Sequence, residues 1–247
     1  GTSSWLIAHL PFKKTDIFHN VATIPSAIPG RYMIINEQET TGACLNFVRN
    51  NLLYHEDELV SGKTPDDFYK KMDSIVSKVP AGSDGVIFTP WLNGERSPVD
   101  DHHTRASFYN LSLHHNRTHL MRAVYEGIAM NNRWLLMYAE KLAGKQFEAI
   151  NFIGGGANSA IWSQILADVF DRPVRQMKEP LTANSRGAAL LALVSLGLMK
   201  IEDIANSVEV NQVFTPNPAN RKLYDERFKI YTDIYEKNKG IFAILNG

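Results

Sequence analysis

Cys44 is the only cysteine in the chain, so no internal disulfide can form. That absence fits a reducing compartment, and a cytoplasmic location is the expectation. No run approaches the roughly 18 apolar residues of a membrane span. The N-terminus has neither the basic start nor the long apolar core of a signal peptide. An excess of either charge is missing too: Lys+Arg and Asp+Glu both total 26, and the pI is about 7.3. A neutral chain gives no electrostatic footprint for nucleic acid or an anionic membrane. Repeats, low-complexity tracts and a clear interdomain linker are all absent. There is no G-x-G-x-x-G, and no glycine loop followed by Lys-Ser or Lys-Thr, so neither standard phosphate-loop fingerprint applies. An initiator Met is lacking as well. The chain starts at Gly1-Thr2-Ser3, which suggests a piece cut from a longer protein.

What is present is an ordinary globular composition, with 44% apolar and 21% charged residues over 247 positions. The chain is organised around Ala149 to Phe170. Ile150, Phe152 and Ile153 suit a short buried strand. Gly154, Gly155 and Gly156 end it, and their backbone lets a ligand come close. Asn158 and Ser159 stand where a helix is capped. Ile161, Trp162, Ile165, Leu166, Val169 and Phe170 then give that helix one wide apolar face. A strand that feeds a helix through glycines exposes N–H groups able to meet a phosphate or a base. A plain strand–helix turn of any α/β protein has the same pattern.

Other elements follow from local chemistry. Gly1–Leu10 reads as a turn running into a strand, and its Gly-Thr-Ser offers amides and hydroxyls in a small space. Arg31–Asn36 reads as a buried strand. Thr40 or Thr41 caps a helix through Leu53, with Gly42 in its first turn. Thr64-Pro65-Asp66-Asp67 reads as a helix start. Gly85–Trp91, Phe108–Leu113 and Pro173–Met177 read as strands, the last at a sheet edge. Asn116 or Thr118 caps a long helix to about Leu142, stopped by Gly144. The helix Gly187–Leu196, opened by Asn184 or Ser185, is apolar nearly all round and should be buried on several sides. Residues 207–220 read as loop, and Arg221–Leu245 as an amphipathic helix. Strands alternating with helices argue for one α/β domain.

The charged groups point less clearly to chemistry. Glu95, Asp100 and Asp101 sit in one polar segment, where adjacent carboxylates are expected to be solvated. His102, His103, His114, His115 and His119 lack the spacing of a helical zinc motif, and no metal site is expected. Glu126 is expected to make a surface pair or a cap contact.

Taken together, three segments resemble the C-terminal half of the FGGY carbohydrate kinases, and most closely the xylulose kinases. Pro90-Trp91-Leu92-Asn93-Gly94-Glu95-Arg96-Ser97-Pro98 is similar to the family's Gly-Glu-Arg-Thr/Ser-Pro segment. Ala106 to Leu111, then His119-Leu120 and Ala123 to Glu126, resembles its C-terminal signature. Phe152 to Asp168 followed by Gly187-Ala188-Ala189 resembles its nucleotide-binding end. The resemblance runs to about Tyr235. Two positions depart from the pattern: Asn110 stands where glycine is favoured, and Ala160 where several relatives carry asparagine. Asparagine tolerates the left-handed backbone such a turn needs.

The resemblance implies an actin-like (ribonuclease H-like) α/β fold, a mixed sheet flanked by helices. It implies that residues 1–247 are the C-terminal, ATP-binding domain of a kinase for a small sugar such as D-xylulose, using ATP and Mg2+. An N-terminal domain bearing the general-base Asp and most sugar contacts would lie upstream, so no catalytic residue is expected here. Gly1, Thr2 and Ser3 would form the phosphate turn. Gly42 and Asn46 would stand beside the nucleotide, on one side of a helix. Gly155, Gly156 and Ala157 would pack against adenine or the α-phosphate. The implied partners are the sugar, ATP and the chain's own N-terminal domain, with room for a homodimer and none for nucleic acid or membrane. Alternatives are a non-catalytic nucleotide-binding regulatory module of the same fold, another actin-like ATPase, or an interaction domain without nucleotide.

Overall fold

The computed structural model describes residues 1–55, 57, 59 and 62–247. Among these the order is β1 (Ser4–Leu10), β2 (Thr15–Asp16), β3 (Val21–Pro25), β4 (Tyr32–Gln38), α1 (Gly42–Phe47), α2 (Phe68–Val76), β5 (Ile87–Thr89) and β6 (Ser107–Tyr109). There follow α3 (Arg117–Ala143), β7 (Ile150–Phe152), α4 (Ala160–Phe170), β8 (Val174–Met177), α5 (Ala183–Ser195), β9 (Val210–Phe214) and α6 (Arg221–Asn246). The strands form three sheets: β1-β4-β3-β2, β5-β6 and β7-β8-β9. The first two are antiparallel; in the third, β7 and β8 run parallel and β9 antiparallel. None of the described helices is long and apolar enough to cross a membrane.

Helix α3 is the axis of the molecule. Its 27 residues span about 40 Å at 1.5 Å each. Asn116 starts it by accepting the Thr118 amide at 2.9 Å, while His119 takes the Asn116 amide at 3.2 Å. That is a reciprocal cap with histidine in the usual Glu or Gln position. Gly144, at φ 71°, closes it. The upstream part of α3 lies in the main core with Trp91, Phe88 and Trp162. Its last turns, at Leu135, Ala139, Leu142 and Ala143, pack under the first sheet against Leu10, Val21 and Ile34. Strand β1 alternates as a half-buried strand does: Leu10 faces that core, while Trp5 and Ile7 are exposed. From α6, Tyr231, Tyr235 and Phe242 pack tilted or edge-on around Trp91 with ring centroids 5.5–6.5 Å away.

Several expectations are corrected. Residues 210–214 are strand β9, which pairs with β8 and makes β8 the middle strand, not an edge. Helix α5 begins at Ala183 without a side-chain cap, and only Leu190 on it is buried; among the described residues, most of its apolar surface is exposed or only half-buried. The helix after Gly42 runs α-helical only to Phe47 and continues π-helical over Val48–Leu53. Thr64-Pro65 precedes a turn closed by Phe68 N–H to the Pro65 carbonyl, and α2 starts at Phe68. Glu126 is not on the surface. It is buried, pairs with Arg122 at 2.6 Å, and accepts from the Gly82 amide, Ser83 and Tyr224. Other predicted elements hold with shifted ends.

Candidate nucleotide site

The start of the chain lies across the start of α1. The Thr2 carbonyl accepts the Thr41 amide at 2.8 Å and the Ala43 amide at 3.0 Å. Between those two residues stands Gly42. A Cβ built there would lie 2.1 Å from the Gly1 carbonyl oxygen, so only glycine lets the two backbones meet. The close approach inferred from Gly42 is thus an approach of Gly1 itself. Thr41 fails as a side-chain cap. Its Oγ1 is buried and has no hydrogen-bond partner. Gly1 and Thr2 are exposed and Ser3 half-buried, so the turn faces outward.

Asn46 follows one turn after Gly42 and is half-buried. Its Oδ1 accepts from Tyr69 Oη at 3.0 Å, which leaves its N–H groups to donate elsewhere. Tyr69 lies on α2, one helical turn before Asp73. Asp73 Oδ1 accepts from Ser159 Oγ at 2.9 Å and from Tyr125 Oη at 2.8 Å. Burial raises the Asp73 carboxyl above its usual range, against those two hydrogen bonds. Ser159, not Asn158, is the cap of α4 and accepts the Trp162 amide at 3.1 Å. So one face of α2 links Asn46, through Tyr69, to the cap after the glycine turn, through Asp73, the two α2 residues being about 6 Å apart along its axis. These contacts join α1 and the turn before α4 along one side of the domain.

Within that turn, Gly155 is exposed and Gly156 half-exposed, while Ala157 is wholly buried. A Cβ on Gly156 would come within 2.9 Å of the Trp162 ring, so packing of that indole already requires glycine. The Ala157 carbonyl accepts from Gln176 of β8, which fixes the turn to the third sheet. Asn110 takes the left-handed conformation expected of it, at φ 64°, and donates to the Gly85 carbonyl at 3.1 Å.

The chemistry of the remaining polar groups is structural. Burial pushes the Cys44 thiol up to about 12, which leaves no thiolate nucleophile at neutral pH. Asp84, His114 and His115 do come together, with His114 Nε2 3.0 Å from Asp84 Oδ2 and His115 Nε2 3.1 Å from the Asp84 carbonyl. The Ser112 amide donates to His115 Nδ1 at 2.9 Å. That assigns the ring proton to Nε2, where a metal would have to bind, so the group is held as a hydrogen-bonded knot. Sequence reasoning missed Glu95: it is 1% exposed instead of solvated. It accepts the Glu39 and Arg96 amides at 3.0 and 2.8 Å and the Asn131 side chain. Burial pushes its carboxyl up to about 7 in spite of these donors.

Comparison with known proteins adds an independent line. Residues 1–196 match the family model for the FGGY family of carbohydrate kinases, C-terminal domain. The chain is 29% identical over 248 aligned residues to a xylulose kinase of Staphylococcus epidermidis, covering 99% of this chain and 47% of that protein. It is 32% identical to an autoinducer-2 kinase of Enterobacter sp., covering 98% and 46%. Ligand-bound xylulose kinase from Lactobacillus acidophilus superimposes with a TM-score of 0.85 at 28% identity, over 99% of this chain and 47% of that one. The chain therefore spans about half the length of the curated relatives it matches. Its α/β architecture is the actin-like fold of those kinases. By sequence and fold alike, this chain belongs to the FGGY family of carbohydrate kinases and carries that family's C-terminal domain.

Proposed function

We propose that this chain is the ATP-binding half of a kinase that phosphorylates a small sugar. The observation that carries the reading is the junction of the Gly1–Thr2 turn with Thr41 and Gly42. Two backbones meet there at a distance only glycine permits, beside a buried hydroxyl without a partner. An unpaired buried hydroxyl costs about 1–3 kcal/mol, and a phosphate oxygen is an acceptor that would satisfy it. The donor set fits phosphate in kind: the amides of Gly1, Thr2 and Ser3 and the hydroxyls of Thr2, Ser3 and Thr41, with no carboxylate among them. Gly42 and Asn46 would flank the nucleotide, and Gly155, Gly156 and Ala157 would support its base end along the face tied by α2.

Bound there as its magnesium complex, ATP supplies the phosphoryl group that moves. The chain's own part is to bind the nucleotide, orient it and keep it still, which is most of what such transfer asks of a protein. The sugar and a general-base Asp belong to an N-terminal half that makes up the rest of the relatives' length. Leu196 and Leu198 at the end of α5, and separately Trp5 and Ile7 of β1, are exposed apolar residues open to such a half. The relatives are named for xylulose and for autoinducer-2; D-xylulose is the acceptor to try first.

The test has two parts. Calorimetric titration of residues 1–247 with Mg-ADP should give saturable one-site binding, and a thermal shift should grow with ligand concentration. The full-length protein should phosphorylate D-xylulose or another small sugar, whereas residues 1–247 alone should show no turnover. Robust sugar phosphorylation by residues 1–247 would refute the division of labour; no binding of ADP by either form would refute the nucleotide site.

A further inference from the structure

The Gly-Glu-Arg-Ser-Pro segment has no part in the nucleotide reading, yet its contacts lead straight to that site. Glu95 Oε1 accepts the amide of Glu39, just past β4, and the amide of Arg96. Its Oε2 accepts Asn131 Nδ2 from α3. Glu95 and Asp101 exchange backbone hydrogen bonds at 2.9 and 3.0 Å, which closes the loop around the carboxylate. Arg96 reaches the same strand end from outside and pairs with Glu37 at 2.8 Å and Glu39 at 2.5 Å. The end of β4 is thus gripped twice, at its amide by Glu95 and at its carboxylates by Arg96. Directly after Glu39, Thr40 Oγ1 donates to the Pro90 carbonyl, and the Thr41 and Ala43 amides hold the Thr2 carbonyl.

We infer that Glu95 is a positioning residue for the phosphate turn: through the Glu39 amide it sets where residues 39–43 stand, and so how Gly1 and Thr2 are presented. The inference rests on the nucleotide reading above for its functional consequence, but not for its structural one. A loop staple alone would not need an ionisable group taken out of water, which is costly unless its donors are fixed. What position 95 must offer is oxygen acceptors, because the Glu39 and Arg96 amides and the Asn131 side chain all donate to it. In the Asn131 side chain, Oδ1 is already committed to Trp91 Nε1 at 3.2 Å and Tyr231 Oη at 2.9 Å. That commitment leaves only its N–H groups to face Glu95.

Glu95→Gln is therefore the informative change, since it keeps the shape. The new amide nitrogen faces Asn131 Nδ2, donor against donor, or turns and loses the Glu39 and Arg96 amides. Hydrogen exchange at the Thr41 and Ala43 amides should speed up in the full-length variant, while α6 amides keep their protection. Mg-ADP affinity should fall roughly tenfold or more, the scale of one hydrogen bond to a charged group, with adenosine affinity changed less than about twofold. Arg96→Gln, at an exposed side chain, should shift both measurements the same way by less, and it keeps the test open if Glu95→Gln folds poorly. Unchanged exchange at Thr41 and Ala43 in both variants overturns the inference, and so does an equal loss for ADP and adenosine. Should the wild type bind no ADP while exchange still responds to both variants, the nucleotide reading falls and the positioning of residues 39–43 by Glu95 stands.

Discussion

Gly42→Ala sets helix propensity against a backbone contact, and the structure decides the sign. Alanine is better than glycine inside a helix by up to about 1 kcal/mol, and by less in the first turn. At this position the added Cβ starts 2.1 Å from the Gly1 carbonyl oxygen and needs at least 3.0 Å, so something must move by 0.9 Å. The atom in the way is backbone, with no side chain to swing aside. Moving the Gly1–Thr2 segment that far lengthens the 2.8 and 3.0 Å bonds to the Thr2 carbonyl beyond useful range. Two such bonds are together worth about 1–3 kcal/mol. The expected net change in stability is therefore small, a loss of about 1 kcal/mol. The amides proposed to hold phosphate, however, are displaced by a third of a hydrogen-bond length. Affinity for Mg-ADP should fall by about one order of magnitude or more. Urea unfolding and calorimetry on the same full-length protein read both quantities. Unchanged ADP affinity with raised stability would refute the reasoning, since Gly42 would then serve only ordinary helix packing.

The remaining predictions concern the polar groups that frame this site. Glu95 has its carboxyl raised to about 7 in the folded protein, so its contribution to stability is full below the unfolded value of 4.5 and is lost as pH rises through 7. The span is worth about 3 kcal/mol at most, and Glu95→Gln should flatten the urea midpoint over that window; a slope unchanged in the variant would assign it elsewhere. Glu126→Ala leaves Arg122 buried without its partner and should cost about 3–5 kcal/mol. Replacing both by apolar residues of similar size should recover most of that loss, and failure to recover would place the cost in Gly82 and Ser83 instead. Ser159→Ala removes the α4 cap and one of two hydroxyls on Asp73, for a loss of about 1–2 kcal/mol by thermal unfolding; a neutral result would mean water replaces the hydroxyl at both partners.

What could be read from the sequence was whatever local chemistry decides. Helix α3 has its cap at Asn116 and its stop at Gly144 as expected, because both depend on residues next to them. Asn110 is left-handed for the same reason. The place of β8 was misread because Val-Asn-Gln-Val-Phe, with two polar residues among three apolar ones, looks like loop until β8 offers it hydrogen bonds. Helix α5 looked like a core element because its sequence carries the apolar surface but says nothing of which chain covers it. Glu95 looked solvated because its burial depends on amides from Glu39 and Arg96 and on Asn131, 36 positions away. At the site, Gly42 signalled a close contact but not that Gly1 makes it. For Gly156 the aromatic ring that demands it lies six residues on and was read only as helix face.

The family match ends at residue 196, but the folding unit does not. Helix α6 lies wholly beyond that point and wraps the Trp91 indole with three of its rings. Trimming the protein to the matched span would strip an oily wall from the middle of the domain and leave an indole wet that is now fully dry. The relatives align over 98–99% of this chain, so that tail is shared with them, and a chain shortened to residue 196 would report on damage instead of on its ligand.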